Sequence, residues 1–250
     1  RIIYIVSFFF LLLILFVSQK PFFMLYNEMT EKDAGFVDMF QVMRHGMSLD
    51  ATTAGYLTAF PFLLVLISIW LKKFPLRKLL LPYYIIASLL VAVVFVVDMG
   101  LYPFWGFKLD ASIFLYLDSP KEVMASVSLG FILVRVLAML MLTSFYIWLM
   151  YKVTPKTLEA TRRKVLGTLG MLLVGGVLFI VIRGGVTEST SNVGQVYFSS
   201  NQFLNHSAVN PCFSLLSSMG KSKDFASEFN FFEEEARAEW FEGLYPTMDG

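Results

Sequence analysis

Five stretches of this chain stay apolar for longer than a soluble core helix requires, and they bound what it can fold into. A hydrocarbon layer about 30 Å thick takes roughly 20 apolar residues in a helix. Residues 2–17, 54–71, 79–97, 127–151 and 165–182 meet or approach that length, and only the fourth run contains a charge, Arg135. The runs are continuous rather than alternating, which selects helices over barrel strands. The first run is short, but residues 22–25 extend it, and the absence of a small-residue cleavage site after it argues against a signal peptide. Composition agrees: the chain is 57% hydrophobic and 16% charged, against about 25% charged in soluble domains. An ordinary soluble enzyme and a disordered chain are both excluded. The expectation is an all-α polytopic membrane protein with five transmembrane helices, interfacial helices and a C-terminal helical linker.

Charge places the ends. Residues 72–78 carry four basic side chains and no acid, and residues 152–164 carry five basic and one acidic. These connections follow spans two and four, so they lie on one side. With Arg1 they hold half of the chain's 20 Lys and Arg. The opposite side receives residues 19–53, 98–126 and everything after 182, with nine basic and eighteen acidic residues. The positive-inside rule puts the N-terminus in the cytoplasm and the tail outside. A net charge of +1 makes no case for a nucleic-acid partner. The single cysteine, Cys212, permits no intrachain disulfide or Cys-rich zinc site, and His45 and His206 are far apart in sequence.

The outer segments carry helix signals of their own. Phe36, Val37, Phe40 and Met43 recur at helical spacing, and Gly46 is a natural helix end. That predicts a short surface helix, after which Asp50 caps the second span. Tyr102, Phe104, Trp105 and Phe107 suit the headgroup level. Asp98 and Asp110 read as caps, Asp110 opening a short helix through Leu117; as a metal pair the two lack an evident third ligand. Ser119-Pro120-Lys121-Glu122 reads as a capping box leading into span four. Ser199 or Ser200 starts a helix through about Ala208, and Asn210-Pro211 starts another that Gly220 ends. Phe225, Phe229, Phe232, Ala236 and Trp240 then form a stripe, with Glu233, Glu234, Glu235 and Glu239 on much of the other face. An acidic amphipathic helix suits packing on protein better than binding an anionic membrane.

Three groups of residues resemble one family. They are Arg44-His45-Gly46-Met47-Ser48-Leu49-Asp50 with Ala54-Gly55-Tyr56; Gly100-Leu101-Tyr102, Trp105 to Asp110 and Ser119 to Glu122; and Arg183-Gly184-Gly185, Asn192-Val193-Gly194, Tyr197-Phe198-Ser199 and Asn205 to Pro211. Their order and placement against the spans resemble the membrane part of bacterial lipoteichoic-acid-synthase-like proteins of the sulfatase/alkaline-phosphatase superfamily. The resemblance implies a five-helix membrane domain over residues 1–183, an extracellular helical linker over 184–250, and an α/β catalytic domain after Gly250. That domain would hold a divalent metal, often manganese, and a Thr or Ser nucleophile. It would transfer phosphoglycerol or a similar headgroup from a lipid, or hydrolyse a phosphate or sulfate ester. The chain is then expected to be an inactive piece of a longer enzyme, an anchor and lipid-presenting domain in the bacterial inner membrane. Its expected partners are a phospholipid such as phosphatidylglycerol and its own catalytic domain. A small-solute transporter or channel and a purely structural tether are the alternative readings.

Candidate headgroup-binding residues are Arg44, His45, Lys108, Arg135 and Arg183. Arginine binds phosphate by paired hydrogen bonds, and interfacial snorkelling is the plain alternative. Arg135 lies about nine residues into span four, so about 13 Å deep. It needs a lipid phosphate, a contact to Asp98, or a structural tie between helices. Asn205, His206 and Asn210 are polar among apolar neighbours, and either join linker to membrane domain or touch substrate. No catalytic residue and no metal ligand is expected in this chain. Cys212 reads as a small packed residue, and Gly175-Gly176 as a site of close helix packing.

Overall fold

Backbone amides and carbonyls find no water inside a bilayer, so an apolar run must pair them within its own helix. The computed structural model, which describes residues 1–114, 128–186 and 189–220, shows the five runs doing so. They are α1 (Ile2–Tyr26), α2 (Phe36–Ser68), α3 (Leu76–Trp105), α4 (Leu129–Val153) and α5 (Lys164–Arg183). Each is long and apolar enough to cross a membrane. Two short helices follow, α6 (Gln202–Ala208) and α7 (Pro211–Met219). Strand structure among the described residues is limited to the antiparallel pair β1 (Lys73–Phe74) and β2 (Leu158–Glu159).

That small pair joins the α2–α3 connection to the α4–α5 connection, with Lys73 opposite Glu159. Both basic segments therefore lie at one end of the bundle, as two spans between them require. Arg1 is tied to the same end. Its Nε donates to Ser68 Oγ at 3.0 Å and its Nη2 to the Glu159 carbonyl at 2.8 Å. Arg77 Nε donates to the Thr154 carbonyl at 2.9 Å.

Helix α1 buries Tyr4, Phe8, Leu12, Phe16, Phe23 and Met24 and leaves Ile3, Phe10 and Ile14 exposed. It packs on α2, α2 on α5, and α3 on α4. The α2–α5 contact depends on small residues. A Cβ at Gly175 would stand 2.7 Å from Phe62 Cζ, and one at Gly55 2.8 Å from Ile182 Cγ1. Three hydroxyls inside the core form a chain: Tyr4 Oη lies 2.9 Å from Tyr84 Oη, which lies 2.5 Å from Thr154 Oγ1. Helix α4 buries only Tyr146 and Met150, and α5 only Met171 and Leu178. Their outward faces, including Leu133, Leu137, Leu140, Leu173 and Val177, are exposed and apolar, as a surface covered by lipid should be.

The structure corrects several boundaries. Helix α1 continues through Pro21 to Tyr26, so residues 22–25 do extend the first run. The expected surface helix and the second span are one continuous helix, α2. Gly46 is therefore no helix end and Asp50 no cap; both lie inside α2 and are buried. Asp98 is likewise inside α3 and not at a terminus. Helix α4 begins at Leu129 with Ser128 as its cap, so Arg135 lies about 9 Å inside it, not 13 Å. The capping box at Ser119, the helix through Leu117 and the acidic amphipathic stripe from Phe225 lie on residues outside those described or run into them.

Candidate functional site

The end opposite the basic loops is organised by buried charge. Lys20 lies eighteen residues into α1 and Asp50 eighteen residues before the end of α2. Each is thus about 27 Å from the basic end at 1.5 Å per residue. Lys20 Nζ sits 2.6 Å from both carboxylate oxygens of Asp50. The two residues are 3% and 0% exposed. Gly46, one turn before Asp50 on the same face, makes room: a Cβ there would collide with Lys20 Cε and the Ala208 carbonyl. A second buried pair lies beside the first. Helix α3 ends at Gly106, whose φ of 70° reverses the chain. Lys108 then folds back onto Asp98, with its Nζ 3.8 Å from the centre of the Phe23 ring. The Leu109 amide donates to the other Asp98 oxygen at 2.9 Å. Burial pushes the Lys108 ammonium below the usual lysine range, against the pull of Asp98. A cavity of about 10 Å³ separates the pairs and is lined by Gln19, Lys20, Asp98, Lys108 and Ser207. Gln19 Oε1 is buried there without a partner, and the space is about what one water needs.

Helices α6 and α7 form a plug inserted into this layer, with every residue from Phe203 to Ser214 buried. Such a pair is buried on all sides only if its polar groups are satisfied. Asn210, at the turn between the helices, uses both ends of its amide. Its Nδ2 donates to Asp50 Oδ1 at 3.0 Å, and its Oδ1 accepts from the Cys212 and Phe213 amides as the cap of α7. Asn205 Oδ1 accepts from the Phe198 and Ser199 amides, and its Nδ2 donates to the Ser199 carbonyl at 2.7 Å. His206 Nδ1 lies 3.1 Å from Tyr102 Oη, and its Nε2 lies 3.3 Å from Gln202 Nε2. Gln202 as donor leaves Nδ1–H to donate to Tyr102. Burial and then Lys108 push the His206 imidazole below its ordinary range, so it is held neutral. Burial, followed by Asp98, pushes the Cys212 thiol up to about 12, which makes it a packed, unreactive group.

Beyond the plug a cleft of about 1110 Å³ opens. Tyr26, Tyr102 and Phe203 supply aromatic wall, and Glu28, Glu31 and Asp33 supply carboxylates against Lys32. Glu28 and Asp33 bracket a tight turn at φ 53° each, unusual for residues with a Cβ. Asn201 Nδ2 holds that turn by donating to the Lys32 carbonyl at 2.8 Å. Asn27, 5% exposed, also lines the cleft and keeps Oδ1 without a partner.

The candidates do not converge. None of Arg44, His45, Lys108, Arg135 and Arg183 lines the large cleft. Arg44 and His45 are exposed on α2, and the His45 ring stacks on Phe198 at 4.3 Å. Arg183 Nη1 donates to the Gly185 carbonyl at 3.1 Å, where Gly184 and Gly185 turn the chain at positive φ. Lys108 is committed to Asp98, and shares a recess of about 340 Å³ with His206, Asp110 and Tyr197. Arg135 does not reach Asp98, because Lys108 holds that carboxylate. It lies instead over the Phe131 ring at 3.1 Å and donates to Tyr26 Oη and the Phe131 carbonyl. It therefore braces a cleft wall from the membrane side. Asn205, His206 and Asn210 join the plug to the bundle. Asp110 caps a turn by accepting from the Ser112 amide at 2.9 Å.

Lys20, Gln19 and the three rim carboxylates were missed by sequence reading. The available signal was Lys20 itself, a lone cation between apolar runs on the same helix, which requires a buried partner or a route to water. Among the described residues no three His, Cys, Asp or Glu side chains gather into a set able to hold a metal ion. The chain matches no known protein-family model, no curated protein and no solved structure.

Proposed function

We propose that this chain is the membrane anchor and lipid-presenting domain of a bacterial extracytoplasmic headgroup transferase of the lipoteichoic-acid-synthase type. The observation that carries this reading is the cleft of about 1110 Å³ lying past a polar layer about 27 Å from the basic end, near the far limit of a 30 Å hydrocarbon core. By the positive-inside rule the basic end faces the cytoplasm and the cleft opens outside at headgroup depth. A headgroup there meets aromatic walls below and charge at the rim. The chain's own residues bind and orient; the phosphoester chemistry, with its metal and nucleophile, belongs to a catalytic domain carried by the same enzyme. Helix α7 supports this division, because its last turn is tied to the cleft end: Ser218 Oγ accepts from the Ala111 amide at 2.9 Å.

Rim charge favours a zwitterionic substrate over phosphatidylglycerol. Glu28, Glu31 and Asp33 outnumber Lys32 and suit a headgroup ammonium. Nothing favours a transporter: the buried ion pairs lie near one membrane face, not at the midplane where transporters bind. The test is mass spectrometry of phospholipid retained by the full-length protein in nanodiscs of equal phosphatidylethanolamine and phosphatidylglycerol. Wild type is expected to retain more phosphatidylethanolamine than a Glu28→Gln/Glu31→Gln/Asp33→Asn variant, which differs only at the cleft rim. A variant that instead retains less phosphatidylglycerol than wild type would reverse the substrate preference. Retention of neither lipid would leave only a tether.

A further inference from the structure

The basic end carries a second groove, of about 610 Å³, between the end of α2 and the start of α5. We infer that it binds the headgroup of an anionic phospholipid from the adjoining leaflet, a site independent of the cleft and of any transferase activity. Arg162, Arg163 and Lys164 line it together with Trp70, Leu166 and Leu169. Lys164 Nζ lies 5.6 Å from the Trp70 ring centre. The two ion pairs formed among the described residues are Lys20–Asp50 and Lys108–Asp98, so these three cations share the groove with no described carboxylate. That contrasts with the opposite end, where buried cations are neutralised.

Charge selects a phosphate, and the wall selects a lipid. Arginine grips phosphate oxygens in pairs, and the positive end of the α5 dipole adds to the field. Directly along the helix, Leu166, Leu169 and Leu173 recur at i, i+3 and i+7 and are 60%, 54% and 75% exposed. They form one apolar track leading from the cations toward the bilayer centre, where an acyl chain lies. Trp70, 57% exposed, sits at the same level, as indoles do at a membrane surface. A soluble phosphate would use the cations and leave the track bare. A zwitterionic lipid would bring an ammonium against three like charges.

The full-length protein in mixed micelles of phosphatidylglycerol and phosphatidylcholine is the system to test, read by native mass spectrometry. Wild type is expected to prefer phosphatidylglycerol, and each cation replaced among Arg162→Gln, Arg163→Gln and Lys164→Gln to lower that preference by about fivefold. A Lys72→Gln/Lys78→Gln variant, with charge removed from the same end outside the groove, keeps it. Leu166→Gln/Leu169→Gln, which spares the charges, weakens it as well. Glycerol 3-phosphate does not compete. An unchanged preference in the triple variant, an equal loss in the Lys72/Lys78 variant, or competition by glycerol 3-phosphate would each overturn the site. Arg162, Arg163, Lys164, Leu166 and Leu169 line the groove, and Lys72 and Lys78 are exposed outside it, so folding is checked simply by an unchanged melting temperature.

Discussion

The two ends of this bundle handle charge in opposite ways. At the basic end, Lys72, Lys73, Lys78, Arg162, Arg163 and Lys164 remain exposed, and the ends of the helices are joined at main-chain carbonyls, which accept from the β1–β2 pair and from the Arg1 and Arg77 guanidiniums. At the cleft end, Lys20, Asp50, Asp98 and Lys108 are drawn inside, and an inserted helical pair closes the bundle through side-chain hydrogen bonds. Exposed cations cost little and answer to whatever lies outside. Buried charges must be matched within the molecule, and the match dictates where α6 and α7 sit. The first end suits contact with a charged surface; the second suits a rigid floor beneath a binding cleft.

Removing one buried charge should have the largest effect. Asp50→Ala strands the Lys20 ammonium and Asn210 Nδ2, and is expected to cost about 3–5 kcal/mol, measured by thermal unfolding in detergent. Lys20→Met/Asp50→Leu, which removes both charges, should recover much of that loss. A double variant no more stable than Asp50→Ala would mean the pair does not lock the plug. Acid should have an intermediate effect. The folded pKa of His206 is pushed below its unfolded value near 6.5, so the unfolded chain binds the proton first. The His206 contribution is therefore complete above pH 6.5 and lost as pH falls from there toward the folded pKa. His206→Gln should flatten that part of the melting-temperature profile; a profile as steep as wild type assigns the acid response elsewhere. The smallest effect belongs to the basic end. Lys72→Ala/Lys78→Ala should change stability by less than about 0.5 kcal/mol, and a larger loss would end the contrast between the two ends.

Local signals were legible in the sequence. Asn210-Pro211 starts α7 where its chemistry says, because a cap is a contact between near neighbours. The start of α6 was nearly as clear, although Asn201 rather than either serine is its cap. The same local reasoning failed at Gly46 and Asp50. A glycine before an aspartate looks like a helix end followed by a cap, unless a lysine from another helix fills the space the missing Cβ leaves. Likewise Lys108 and Asp98 each read as a group with a local role, and their pairing depends on a chain reversal at Gly106. The expected basic cluster did not form: Lys108 is paired with Asp98, Arg135 sits on α4, Arg183 ends α5, and Arg44 and His45 stand exposed on α2.

The sequence by itself determined the number of spans, their helical state and the end that collects cations. Those follow from the length of apolar runs and the charge of short connections, which are additive along the chain. Tertiary structure alone decided that Lys20 meets Asp50, that Lys108 takes the carboxylate Arg135 would need, and that the large cleft has an acidic rim. Low-dielectric burial makes each charge choose one partner, and that choice depends on which helices become neighbours.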